Sequence, residues 1–397
     1  MPTGTAARKQ YGLLLAARMS RAFGFGFSAV LLGIYLDRKG LTPTEIGGTL
    51  AAGLLAASVL SLLFGWASAR IGHRTCLMAA GLLMFVAGID LALAGNAWLL
   101  MLSSLTGMLG SASVDVGPFA PVEQAMLAQA LGSRERNMAF ARYWLTSGLA
   151  SAAGGLVSSL GTTEGRIQLF FLGYGLIGLI TALLAALLAP QLKTPTRDSR
   201  ITGAHVRPIV ALSGLFALDS LGGGFVVPAV IAYWLHIRFG ASAGVLGPTF
   251  ALLSLVGSLS FEVSGRLANR IGLIRTMVFT HLPSNVVLLL VAAAPSFAWA
   301  IGLLVLRSSL AQMDVPARQA YVVAIVDPPE RAEAVAITGA ARGFAQAAGP
   351  ILAGLAIQGA ALGAPFLIAG GLKIAYDVCL YAGFRGRLGD HETTHRS

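Results

Sequence analysis

The feature that most constrains this chain is a series of apolar runs, each long enough to cross about 30 Å of hydrocarbon. Twelve can be read, at 12–36, 44–69, 76–95, 97–130, 138–161 and 167–190, then at 208–236, 243–268, 276–294, 296–326, 333–359 and 363–384. In lipid every backbone polar group needs a partner within the protein, so runs of this length read as helices. The expected fold class is an all-α membrane protein with twelve transmembrane helices in two pseudo-symmetric six-helix bundles. Residues 1–190 form the N-terminal bundle, 191–207 a polar cytosolic linker, and 208–397 the C-terminal bundle with a short cytosolic tail. Only 11% of the 397 residues are charged, against about 25% in a soluble domain, which argues against a soluble enzyme. Arg8 and Lys9 precede the first run, but no small-residue cut site follows it. That run reads as the first span and not as a cleaved signal.

The net charge of +11 is compatible with a nucleic-acid patch or with loops that obey the positive-inside rule. Placing the N-terminus inside puts Arg8, Lys9, Arg70, Arg74, Arg134, Arg136, Lys193, Arg197, Arg200, Arg207, Arg266, Arg270, Arg275, Arg331, Arg385, Arg387 and Arg396 on the cytosolic face. Only Arg38, Lys39, Arg166 and Arg238 then lie on the other face. The excess is a record of orientation: a cell-membrane protein, multi-pass, with both termini cytosolic. No soluble segment is left to hold a nucleic-acid domain.

The halves repeat. Arg70-Ile71-Gly72 recurs as Arg270-Ile271-Gly272 at an offset of 200, with Gly65 matched by Gly265. Gly24, Phe27 and Tyr35 align with Gly222, Phe225 and Tyr233 at 198, and Gly148–Gly154 with Gly343–Gly349 at 195. Parallel six-span repeats of this kind place a substrate site near the membrane midplane.

Gly65-Trp66-Ala67-Ser68-Ala69-Arg70-Ile71-Gly72-His73-Arg74, with its echo Gly265-Arg266-Leu267-Ala268-Asn269-Arg270-Ile271-Gly272, resembles the loop between spans 2 and 3 of the major facilitator superfamily. Span count, repeat and linker extend the resemblance over the whole chain. It implies alternating access, spans 1, 4, 7 and 10 lining the cavity, and a gating role for Gly65, Arg70, Gly72, Arg74, Gly265, Arg270 and Gly272. The acid that the family carries in this loop is replaced by Ala69 and Asn269, which removes its pairing with neighbouring bases. Gly349-Pro350-Ile351-Leu352-Ala353-Gly354 resembles an antiporter element, though in span 11 and not span 5.

An ionisable group inside a span is costly and normally faces a cavity or a partner. Seven acids (Asp90, Asp115, Glu123, Asp219, Glu262, Asp314, Asp377) and seven bases (Arg18, Arg21, Arg142, Arg307, Arg318, Arg342, Lys373) lie in the expected spans. Across the repeat Arg21 aligns with Asp219, and Glu123-Gln124-Ala125 with Arg318-Gln319-Ala320, so the sign inverts at both positions. Each sits roughly 8 to 11 residues from the cytosolic end of its helix, or about 12–16 Å at 1.5 Å per residue. The expected pairs are Arg21 with Glu123 and Asp219 with Arg318, or the cross-half alternatives. They serve either as a substrate and proton site or as ion pairs that fix helix register. Asp115 and Asp314 keep their sign at an offset of 199 and lie beside Pro118, Pro121 and Pro316, as acids at hinges. Arg18 and Arg307 are further candidate anion ligands. Lys373 and Asp377, four apart, are expected to pair with each other, and His281, alone in span 9, to make an ordinary helix contact.

The sequence holds no G-x-x-x-x-G-K-[ST] motif, no metal-ligand spacing among its six histidines and two cysteines, and no nucleophile set, so no cofactor or metal is expected. The expectation is a monomeric secondary transporter: proton-coupled efflux of a small organic compound or drug. The alternatives are proton-coupled uptake of a small anionic metabolite and, from another class, a non-transporting membrane receptor.

Overall fold

The apolar runs become helices whose ends follow local chemistry. The structure is a computed structural model that describes residues 5–110, 117–130, 133–189, 203–327 and 330–385. Spans 1 to 3 are single helices, α1 (Thr5–Arg38), α2 (Pro43–Ile71) and α3 (His73–Leu93). Span 4 is broken into α4 (Ala97–Ser103) and α5 (Phe119–Ala130), while spans 5 and 6 are α6 (Ser133–Val157) and α7 (Glu164–Ala186). In the second half span 7 is divided between α8 (Val206–Gly224) and α9 (Pro228–Phe239), and spans 8 and 9 are α10 (Ala243–Ile271) and α11 (Leu273–Ala292). Span 10 is α12 (Phe297–Ala311) plus α13 (Asp314–Ala324), followed by α14 (Arg331–Gln358) and α15 (Ala364–Phe384). The described residues contain no strand. Eight of the helical segments are long and apolar enough to cross a membrane. Large apolar side chains also stand exposed along the helices, among them Leu55, Leu63, Leu169, Leu183, Leu259 and Leu367. Water would not tolerate such surfaces, and lipid does.

The duplication is visible in the helix ends. Asn96 caps α4 by accepting from the Leu99 N–H at 2.9 Å, and Ser296, 200 residues on, caps α12 by accepting from Trp299 N–H at 3.4 Å. Between α2 and α3 the chain turns at Gly72 with φ 90°, and between α10 and α11 at Gly272 with φ 87°. That left-handed region favours glycine, which explains why both copies of the loop retain it. Arg70 stacks its guanidinium 3.6 Å from the centre of the Trp66 ring.

The breaks also repeat. In α5 Pro121 stands in the first turn, and in α13 Pro316 does, where a missing N–H costs nothing. The carbonyls left free beside these breaks find side-chain donors: Ser28 Oγ donates to Leu109 O at 2.7 Å, Tyr174 to Met108 O, and Ser264 to Met313 O. Span 7 breaks after Gly222-Gly223-Gly224, with Pro228 opening α9.

The chain forms two compact units. The first joins Met1–Thr196 with Val227–Leu255 and Pro350–Ala360; the second holds Arg197–Val226, Val256–Gly349 and Ala361–Ser397. In the first, a Cβ on Gly26 would collide with the Ser151 carbonyl, and in the second one on Gly224 would collide with Gln346. These span-1 and span-7 glycines thus serve close helix packing. The second unit's apolar core includes Ile209, Leu212, Phe216, Met277, Tyr321 and Leu380.

Candidate functional site

Each unit holds a buried polar cluster of its own. In the first, α1 supplies Arg18 and Arg21, three residues apart and so on one helix face; α5 supplies Glu123 and α6 supplies Tyr143. Arg21 Nη2 donates to Glu123 Oε1 at 2.6 Å. The other carboxylate oxygen, Oε2, accepts from the Tyr143 hydroxyl at 2.6 Å. Arg18 Nε donates to Ser147 Oγ at 3.1 Å, and its guanidinium lies 4.4 Å from the centre of the Tyr143 ring and 4.9 Å from that of Trp144. Arg21 lies 4.0 Å over the Phe119 ring. The two arginines and Glu123 are at most 1% exposed. Two cations face one carboxylate, so the cluster carries a positive excess. Arginine has five N–H donors, and here the buried Arg21 Nε and Nη1 have no hydrogen-bond partner.

The second unit's cluster is larger and sets Asp219, Asp314 and Asp377 against Lys373, Arg318 and Arg342. Asp219 of α8 accepts from Lys373 Nζ at 2.6 Å on Oδ1 and from Arg318 Nη1 at 3.3 Å on Oδ2. Arg318 also donates to Asp314 Oδ2, one helical turn before it, at 2.8 Å. His281 of α11 turns Nε2 toward Asp219 Oδ1 at 3.6 Å and binds Asp377 Oδ1 through Nδ1 at 2.9 Å. Asn285 Nδ2 donates to Asp377 Oδ2 at 2.9 Å, and Arg342 Nε to Ser220 Oγ at 3.1 Å. Three carboxylates, two of them reached by His281, are thus tied together across α8, α11, α13 and α15.

The expected within-half pairs, Arg21 with Glu123 and Asp219 with Arg318, are both formed. Asp314 joins the second cluster through Arg318. Arg18 stands beside Arg21 but binds Ser147. Arg307 is half-buried in α12, and its Nε has no hydrogen-bond partner. Asp115, the linker residues 191–202, and the side chains of Ala69 and Asn269 lie outside the described residues. One expectation is corrected: Lys373 and Asp377 do not pair with each other. Lys373 reaches Asp219 and Asp377 turns to His281 and Asn285, because partners on neighbouring helices lie closer than the one along α15. His281 is accordingly a member of the charge network. Tyr143 went unnoticed in the sequence, since nothing in α6 marks it as the second partner of Glu123.

Asp219, His281 and Asp314 bring possible metal-ligand atoms within 4.8 Å of one another. The carboxylates there already accept from Lys373 and Arg318, so cations of the protein itself fill the place a metal would take. A separate cavity of about 490 Å³ in the first unit, lined by Phe23, Phe27, Leu169, Phe170 and Arg166 among others, has no acid in its wall.

Twelve helical spans in two repeats, with buried charges on spans 1, 4, 7 and 10, are the marks of a secondary transporter. A family model, the Major Facilitator Superfamily, matches residues 14–306 and again 212–394, and the chain belongs to that family. An uncharacterized membrane protein of Saccharomyces cerevisiae is 24% identical over 425 residues, covering 96% of this chain and 95% of the relative. The human organic anion transporter MFSD10 (TETRAN) shares the fold at a TM-score of 0.69 and 16% identity, over 95% of this chain and 100% of that one. A D-xylose-proton symporter does so at a TM-score of 0.73 and 14% identity, over 94% and 97%. The chain is therefore a multi-pass membrane transporter of a small molecule and not an enzyme.

Proposed function

We propose that this transporter exports a small organic compound in exchange for protons, as a monomer in the cell membrane with both termini in the cytosol. The observation that carries the reading is Asp219, 4% exposed and held at once by Lys373 and Arg318. A proton arriving on that carboxylate cancels its charge, frees Lys373 and leaves Arg318 to Asp314 alone, and a freed cation in a low-dielectric site must find a new anion or move. That ties protonation to a change of state, as exchange requires. A D-xylose-proton symporter among the structural neighbours supports this reading.

A second reading, uptake of a small anionic metabolite, is favoured by one observation. Arg21 keeps two buried nitrogens without partners, and a carboxylate or similar group would satisfy them. The human structural neighbour is an organic anion transporter. Arg18, Arg307 and Arg318 are the further anion ligands in this reading.

The test is a thermal-shift screen of the purified protein against drugs, amino acids, sugars and organic anions at two pH values, followed by transport of the hit in proteoliposomes. The export reading expects a neutral or cationic organic hit whose movement follows the pH gradient. A hit confined to anions, lost in Arg21→Gln, would establish the second reading in its place.

A further inference from the structure

Two helix crossings occupy equivalent places in the repeat. At the offset of 200 His281 corresponds to Gly81, and at 195 Lys373 and Asp377 correspond to Gly178 and Ala182. These equivalents meet in the first unit as well: a Cβ on Gly81 would lie 2.7 Å from Ala182 N and 2.8 Å from Gly178 O. The α3–α7 crossing thus packs backbone on backbone with no ionisable group at these three positions. Its sister α11–α15 buries His281, Asn285 and Asp377 at 0–4% exposure and Lys373 at 6%. The fold does not need charge at this crossing, and buried charge is expensive. A role beyond packing accounts for it.

We propose that His281 is a proton-holding relay between two carboxylates, Asp219 on one side of the imidazole and Asp377 on the other. The relay deepens the proton-coupled reading above and rests on it for its use. A proton arriving on Asp219 Oδ1 passes to His281 Nε2, giving an imidazolium. With the ring as the Nδ1–H tautomer, that proton then passes to Asp377 Oδ1, beside the Asn285 amide nitrogen 3.1 Å from the same Nδ1, restoring the neutral ring. Only N–H and O–H bonds form and break, and no other reactant is needed. The 3.6 Å gap from Nε2 to Asp219 Oδ1 is just beyond hydrogen-bond length, while Lys373 holds that same oxygen at 2.6 Å. The link therefore closes as Lys373 lets go, which makes the lysine the latch of the relay.

The charged and titratable groups around His281 come from every element packed against it. Asp219 lies on α8, with Ser220 beside it bound to Arg342 of α14. Asp314 and Arg318 lie on α13, Arg307 on α12, and Asn285 on α11 itself. Lys373, Tyr376 and Asp377 lie on α15, the Tyr376 ring meeting the imidazole edge to face at 5.8 Å. Histidine is the side chain whose ordinary charge change falls between pH 5 and 8, which suits a residue that loads and unloads a proton.

The experiment needs no substrate. Protein labelled with 15N in its imidazole rings is placed in lipid nanodiscs, and the His281 resonances are identified by their loss in His281→Gln and followed from pH 5 to 9. The expected result is a titrating His281 whose midpoint falls by about one pH unit or more when Asp377→Asn or Asp219→Asn removes a neighbouring negative charge. In Lys373→Gln, which frees Asp219 Oδ1 for the ring, the midpoint rises; this variant and the wild type suffice if the aspartate variants do not fold. His281 resonances that stay constant across the range, or midpoints indifferent to all three substitutions, would overturn the proposal. Transport indifferent to a pH gradient, with His281 still titrating as expected, would instead defeat the proton-coupled reading and leave the relay in place.

Discussion

The α3–α7 and α11–α15 crossings descend from one ancestral pair of helices, yet the first is held by small residues and the second by a charge network. In α3 and α7, Gly81 and Gly88 lie against Gly178 and Gly175, and a Cβ on Gly88 would collide with the Gly175 backbone. Small residues are the usual means of helix association where lipid offers no hydrophobic drive. In α11 and α15 a remnant of that packing survives at Gly370, whose Cβ would lie 2.5 Å from Leu289 Cδ2. Around it the contact adds His281, Asn285, Lys373 and Asp377, with Tyr376 and the Phe279–Tyr381 pair beside them. The difference teaches that one copy of the repeat keeps a plain structural joint, while the other gives the same place to ionisable groups. The two buried clusters differ too: the N-terminal one sets Arg18 and Arg21 beside Glu123, and the C-terminal one ties three aspartates to Lys373, Arg318 and His281.

The comparison breaks most visibly if the joints are exchanged. Gly81→His puts a bulky ring where the Ala182 and Gly178 backbones already touch. Overpacking of this kind costs about 1–3 kcal/mol and sometimes more, and with rigid backbone on the far side the upper end is expected, seen as loss of monodisperse protein on size-exclusion chromatography. Asp377→Ala comes next. It strands His281 and Asn285 without their acceptor, and a buried group left unpaired costs about 1–3 kcal/mol, read as a lower midpoint in thermal denaturation; the conservative Asp377→Asn recovers most of it. In the N-terminal cluster Tyr143→Phe removes one of two donors to Glu123. About 0.5–1.5 kcal/mol is expected, read as a lower midpoint in thermal denaturation.

The smallest effect lies outside both clusters, where Lys39 meets Glu164 at 2.6 Å. The Glu164 carboxylate beside it raises the Lys39 ammonium above its ordinary pKa. A raised lysine stabilises the fold fully below the unfolded-state pKa and loses that contribution as pH climbs through the folded value. Lys39→Gln should therefore lower stability by well under about 1 kcal/mol at neutral pH, and the difference from wild type should vanish only in strongly alkaline solution.

Much of this was legible in the sequence because duplication gives each residue a reference. The sign inversion of Arg21 against Asp219, and of Glu123 against Arg318, picked out the four charged partners and left open whether they pair within or across the halves; the within-half pairs form. Pro118, Pro121 and Pro316 pointed to hinges in spans 4 and 10, while span 7 reads in the sequence as one unbroken run and breaks after Gly224. What the sequence hid was partner choice across helices. Lys373 and Asp377 stand one turn apart, so spacing alone pairs them, but spacing carries no information about α8 and α11 approaching the same face of α15. The signal for His281 was present in weak form: Asn285 lies one turn after it, placing two polar side chains on one face of an apolar helix. Tyr143 left no such trace, since a tyrosine in a span is as readily packed as bonded.

The central claim is that Asp219 couples transport to protons through the bases that hold it. It is tested most directly by Asp219→Asn in proteoliposomes, with the substrate found by thermal shift, comparing accumulation driven by a pH gradient with exchange of substrate across equal pH. The account predicts that gradient-driven accumulation disappears, about a hundredfold or more below wild type for a residue essential to the step, while equal-pH exchange persists. Gradient-driven accumulation at the wild-type rate in Asp219→Asn would contradict it.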